Sequence, residues 1–188
     1  MRPGLRISLR IMAFALPALT LVAALAAPAR AADAHIDRID LIAAGFYDAT
    51  AAKVASTRPG PTAAGGKTNQ LADVALMSEA PADTARVGIG FGVRFRSAGE
   101  PRGAQATLRS VWKIPEPGIR NPENGTTYRE SVTEFTTAVG GVHWRGYGFD
   151  KAWEVVPGVW TIEIWQGDRK LLEHSFTVGP KQPPPAKP

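Results

Sequence analysis

After residue 31 the chain is dominated by short runs in which apolar and polar residues alternate, with no long segment holding apolar residues at helical spacing. A two-residue period sends successive side chains to opposite faces, so such runs predict strands with one face buried. The strands are predicted at Ile36–Tyr47, Leu71–Met77, Arg86–Arg96, Ala104–Ile114, Tyr128–Ala138, Val142–Phe149, Val159–Gln166 and Leu171–Val178, separated by Gly, Pro or Asn. Val87, Ile89, Phe91, Val93 and Phe95 share one face and form a core stripe. In GVWTIEIW, Trp160, Ile162 and Ile164 share one face and Thr161, Glu163 and Trp165 the other, which makes Trp165 the solvent-side aromatic. Short strands cut by turn signals in a chain of this length point to an all-β fold, an antiparallel β-sandwich of about 7–9 strands.

Three segments lack periodicity. Ser56–Asn69 (STRPGPTAAGGKTN) is rich in Gly, Pro and small residues and reads as a mobile loop. Pro115–Thr126 (PEPGIRNPENGT) contains three prolines and an Asn124-Gly125 pair suited to a tight turn. The Pro-rich end, 180–188, has no means of packing and is expected to be a disordered tail behind one domain spanning 32–179.

The first 31 residues change the reading of charge. Arg2, Arg6 and Arg10 precede an apolar run from Ile11 to Ala27, and Ala29-Arg30-Ala31 follows. This is the layout of a signal peptide helix with cleavage expected after Ala31, or as a second choice after Ala34, which predicts a periplasmic or secreted protein with no stable membrane span after signal cleavage. The formal charge of the whole chain is +5. Four of its 22 Lys and Arg lie in the leader, which has no acid, so 18 basic residues face 17 acidic ones in the remainder. Nothing in that balance argues for nucleic acid. With no cysteine, the fold must hold by its core, without disulfides.

Motifs that could carry chemistry fail on context. Gly66-Lys67-Thr68 resembles the end of a phosphate loop, but Pro61 stands where its first Gly is required and no strand-to-helix context surrounds it. Gly88-Ile89-Gly90-Phe91-Gly92 runs into an alternating strand and not into a helix, so its glycines are read as points of close backbone approach. His35, His143 and His174 have no partner at metal-binding spacing. Glu130 and Glu134, four apart on a strand, would stand ~13 Å from each other, beyond the roughly 5–9.5 Å of glycosidase carboxyl pairs. No metal, cofactor or catalytic constellation is recognisable, and the protein is expected not to be an enzyme.

Aromatic and polar residues that could contact a partner remain. Trp165 is one; His143, Arg145 and Tyr147, which alternate on one face of VHWRGYGF, are a combination able to stack on and hydrogen-bond to sugars or peptide groups. Arg120 and Asn121 stand in the second loop. The function expected is a non-catalytic binding or interaction module of the bacterial envelope, engaging an envelope protein or glycan through loops and one exposed face. The alternatives are an envelope glycan-active hydrolase and a structural subunit using strand addition.

The order of the segments GFYDA (Gly45–Ala49), GIGFGVRFR (Gly88–Arg96), GEPRGA (Gly99–Ala104), the Pro115–Gly125 loop, GYGFDKAWEVVPGVWTIEIWQGDRKL (Gly146–Leu171) and FTV (Phe176–Val178) resembles the uncharacterised bacterial family known as domain of unknown function 3859. The run FDxxWExxPGxW followed by GDRKL carries most of the resemblance. It implies an exported, immunoglobulin-like sandwich over about Ile36 to Val178, without an established activity, cofactor or catalytic residue set.

Overall fold

A computed structural model describes residues 34–72, 74–76 and 85–180. The leader, its cleavage point at Ala31 and residues 181–188 of the expected tail lie outside the described residues. The elements are β1 (His35–Asp48), β2 (Lys53–Pro59), β3 (Lys67–Ala72), β4 (Ile89–Glu100), β5 (Gln105–Lys113), β6 (Ile119–Arg120), β7 (Thr127–Tyr128), β8 (Glu130–Ala138), β9 (Val142–Gly148), β10 (Gly158–Gln166) and β11 (Arg169–Val178). Two antiparallel sheets, ordered β1-β4-β9 and β11-β10-β5-β8, form the expected sandwich, while β2-β3 and β6-β7 are separate hairpins.

Alternation builds the core as the sequence requires. Ile89, Phe91, Val93 and Phe95 of one sheet and Trp160, Ile162 and Ile164 of the other are 0–1% exposed. Phe91 sits at the centre, its ring 5.4 Å from Trp112, 5.4 Å from Trp160 and 5.3 Å from Phe176 across the sandwich. Such tilted and edge-on pairs add to the stabilisation from burial alone. Val87 departs from the expected stripe: it precedes β4 and is 45% exposed, because the strand starts only at Ile89.

The glycines of GIGFG are required by what crosses β4. A Cβ at Gly90 would lie 2.2 Å from the Tyr47 ring, and one at Gly92 would lie 2.3 Å from the Arg145 carbonyl oxygen and 2.7 Å from the Trp144 ring. Any larger residue would collide with backbone or a packed ring.

Two sequence expectations are corrected. Ser56–Asn69 is not a loop but most of the β2-β3 hairpin, paired from Lys53↔Ala72 to Pro59↔Lys67. Among the described residues of the strand expected at Leu71–Met77, Leu71 and Ala72 are in a strand, as the end of β3, and Val74–Leu76 has no regular structure. The hairpin was hidden because KVASTRP and KTNQLA are polar on both faces, and both arms are largely exposed.

The two sides of the sandwich differ. On one, Gln166 accepts from the Ile36 amide at 2.9 Å and donates to the Ala34 carbonyl at 2.7 Å, and Arg169 donates to the Ile36 carbonyl, so β1 is latched to the β10-β11 turn. On the other, β9 and β8 are the edges of their sheets, and the β2-β3 hairpin reaches toward β8.

Candidate functional site

The residues that face each other between β9 and β8 line a concavity. Phe91, Val93 and Phe95 point into the core, and their partners in register across β9 are Tyr147, Arg145 and His143. These three therefore project between the sheets and not onto the outer surface. Near the turn that joins β8 to β9, the gap is closed by a hydrogen bond between Thr137 Oγ1 and His143 Nε2. Next, the Arg145 guanidinium lies 3.5 Å from the centre of the Phe135 ring. Beyond that pair a cleft of about 640 Å³ opens, with Tyr147, Trp112, Ser131 and Thr133 among its walls.

The β2-β3 hairpin completes the cleft through its tip. Thr62 Oγ1 accepts from the Val132 amide at 2.9 Å and donates to the Val132 carbonyl, which occupies the free edge of β8 at that residue. Asn121 Nδ2 donates to the Ala64 carbonyl at 2.8 Å, and Ala64 is 1% exposed. The arms above the tip carry Arg58 and Lys67 into the lining.

Burial sets the electrostatics. Desolvation, and secondarily the charge of Arg58, pulls the Arg145 guanidinium down to about 10. Arg145 Nη1 donates to the Trp144 carbonyl at 3.1 Å, whereas its Nε is buried and makes no hydrogen bond among the described residues. Neither Arg145 nor Arg58 is in an ion pair among the described residues, although the cleft also contains Glu134, Asp150 and Glu154. Glu154 is 4% exposed and its Oε2 accepts from the Asp150 and Lys151 amides at 2.7 and 2.9 Å, so it holds the turn after β9. Burial raises its pKa against the opposing pull of those amides. The Tyr147 hydroxyl is likewise raised, by burial first and by Glu154 second, and stays protonated. His143 is lowered, mainly by burial and also by Arg145, against the Ala138 carbonyl that its Nε2 approaches at 3.3 Å.

The remaining candidates are elsewhere. Trp165 is on the outer face of the β10 sheet, half-buried between the Arg109 guanidinium at 5.7 Å and the Lys170 ammonium at 5.6 Å, and its Nε1 donates to Glu163. Arg120 is exposed on β6. Asn121 is buried, with Oδ1 accepting from the Glu123 amide and Nδ2 bound to Ala64, so it ties two hairpins together. The structure thus gathers His143, Arg145 and Tyr147 and leaves Trp165 and Arg120 apart from them. Sequence reasoning missed Arg58, Lys67 and Glu154; only the strand position of β2 and β3 would have shown the first two.

Among the described residues no His, Asp, Glu cluster is arranged to hold a metal ion, and no helix is long and apolar enough to cross a membrane. Taken in chain order, the strands of the sandwich place the first, second and fifth in one sheet and the seventh, sixth, third and fourth in the other, which defines an immunoglobulin-like β-sandwich with a cleft at its open side. The chain belongs to the family described as "Domain of unknown function (DUF3859)", whose model matches residues 66–178. Among solved structures it is similar to an immunoglobulin-like protein from Pseudomonas aeruginosa, with 23% identity and a TM-score of 0.48 over 78% of this chain and 96% of that one. It is also similar to a beta-D-glucoside glucohydrolase from Trichoderma reesei, with 10% identity and a TM-score of 0.33 over 76% of this chain, which spans 19% of that enzyme. No protein with a curated description matches.

Proposed function

We propose that the protein is a non-catalytic binding module of the bacterial envelope that takes its ligand into the cleft between β9, β8 and the β2-β3 hairpin. The supporting observation is the pairing of aromatic walls, Tyr147 and Trp112, with a largely buried Arg145 that is in no ion pair among the described residues. A concavity in which aromatic walls carry polar groups able to orient a ligand is a common form of binding site. Two of the titratable groups in the cleft are already committed, Glu154 to the turn amides and His143 to Thr137. The envelope setting is supported by the leader layout of residues 1–31.

Strand addition is a second reading, supported by β9, which pairs with β4 alone and leaves its other edge without a strand partner among the described residues. Both readings place the ligand on the same side of the molecule. A benzophenone side chain introduced at Ser56, in the cleft lining, should form an adduct with a component of the envelope fraction under irradiation. The same group at Val159, 57% exposed and outside that lining, should not. Equal yields at the two positions, or adducts at Val159 alone, would contradict the proposal.

A further inference from the structure

We propose that the ligand presents an oxyanion, a carboxylate or a phosphate ester, to Arg145 in the cleft, with Arg58 on the hairpin as the second cation. This rests on the cleft being a binding site and adds the chemistry of what enters it. Three observations carry it.

The first is the cost of Arg145 as it stands. A guanidinium removed from water is stabilised when its N–H groups are paired, and one left without a counter-charge is costly. Among the described residues Arg145 donates only to the Trp144 carbonyl, and the Phe135 ring covers one face of the guanidinium. Second, Arg58 is close enough to disfavour the charge on Arg145, so two cations share one concavity and neither is in an ion pair among the described residues. An anion placed there relieves both the desolvation and the repulsion. Third, none of the three acids in the lining is paired with them among the described residues: Glu154 accepts from the Asp150 and Lys151 amides, Glu134 is exposed on β8 opposite Arg109, and Asp150 is exposed just after β9. The planar fork of Arg suits carboxylate and phosphate oxygens, and the hydroxyls of Ser131 and Thr133 in the same lining can donate to them.

An inward charge beside an edge strand also discourages edge-to-edge association. That role calls for a charge at Arg145 but for nothing at Arg58, which separates the two explanations. The test is the Nε–Hε cross-peak of Arg145 in the ¹⁵N-labelled protein, assigned by its loss in Arg145→Lys. Sodium acetate and inorganic phosphate are titrated separately against sodium chloride at matched ionic strength. The expected result is a saturable shift with at least one oxyanion and not with chloride, weakened about tenfold in the exposed variant Arg58→Gln. Tighter binding of acetate assigns a carboxylate, and of phosphate a phosphate ester. A shift reproduced by chloride, no shift at all, or unchanged affinity in Arg58→Gln overturns the proposal. Adducts at Ser56 with a silent Arg145 cross-peak would overturn the oxyanion alone and leave the cleft as the binding site.

Discussion

Two tryptophans five residues apart in β10 have opposite fates because side chains alternate along a strand. Trp160 is fully buried, with its Nε1 donating to the Val156 carbonyl at 2.9 Å, while Trp165 lies outside under Arg109 and Lys170. Trp160→Ala should cost ~3–5 kcal/mol, and Trp165→Ala, which loses mainly cation–π contacts, only about 1 kcal/mol. Urea unfolding of both variants measures the difference, and equal losses would contradict the assignment of faces. His143 and His174 are both lowered from the ordinary value of 6.5, chiefly by burial. With the folded pKa depressed, the unfolded chain takes up the proton first. Stability is therefore fully present above about 6.5 and is lost as pH falls through the folded values. His143→Gln should flatten part of that decline in urea midpoints taken between pH 8 and pH 5; an unchanged slope would show that His143 contributes nothing to it.

The principal strands of the sandwich could be read from alternation, since an apolar stripe on one face specifies both strand and register. The hairpin β2-β3 could not, because it stands away from the core with polar residues on both faces and only its tip is packed. For β9 the pattern gave two faces but not their destinations: Trp144 alternates with Arg145 and Tyr147, and the polar set turned out to face inward. That outcome depends on β9 being an edge strand beside a cleft, where a charged side chain can enter the sandwich without being sealed in. At this scale the tip of the hairpin is the element to perturb. Thr62→Val removes both hydrogen bonds to Val132 while keeping the side-chain shape. Amides of 53–72 should exchange faster with deuterium by about tenfold, and those of β4 and β10 should not change. Uniform acceleration across the chain would mean that the tip supports the whole domain and not the cleft wall.

Across the whole molecule, one side of the sandwich is latched by Gln166 and Arg169 and the other is left for a hairpin to wall. That asymmetry offers two surfaces, the cleft, where Arg145 is in no ion pair among the described residues, and the outer face, where Trp165 already lies against Arg109 and Lys170. Hydrogen–deuterium exchange of the protein with and without solubilised envelope fraction compares them directly. Amides of β2, β3 and β9 should gain protection while those of β10 and β11 stay as they were. Protection gained on β10 and β11 alone would move the binding surface to the Trp165 face and contradict the cleft.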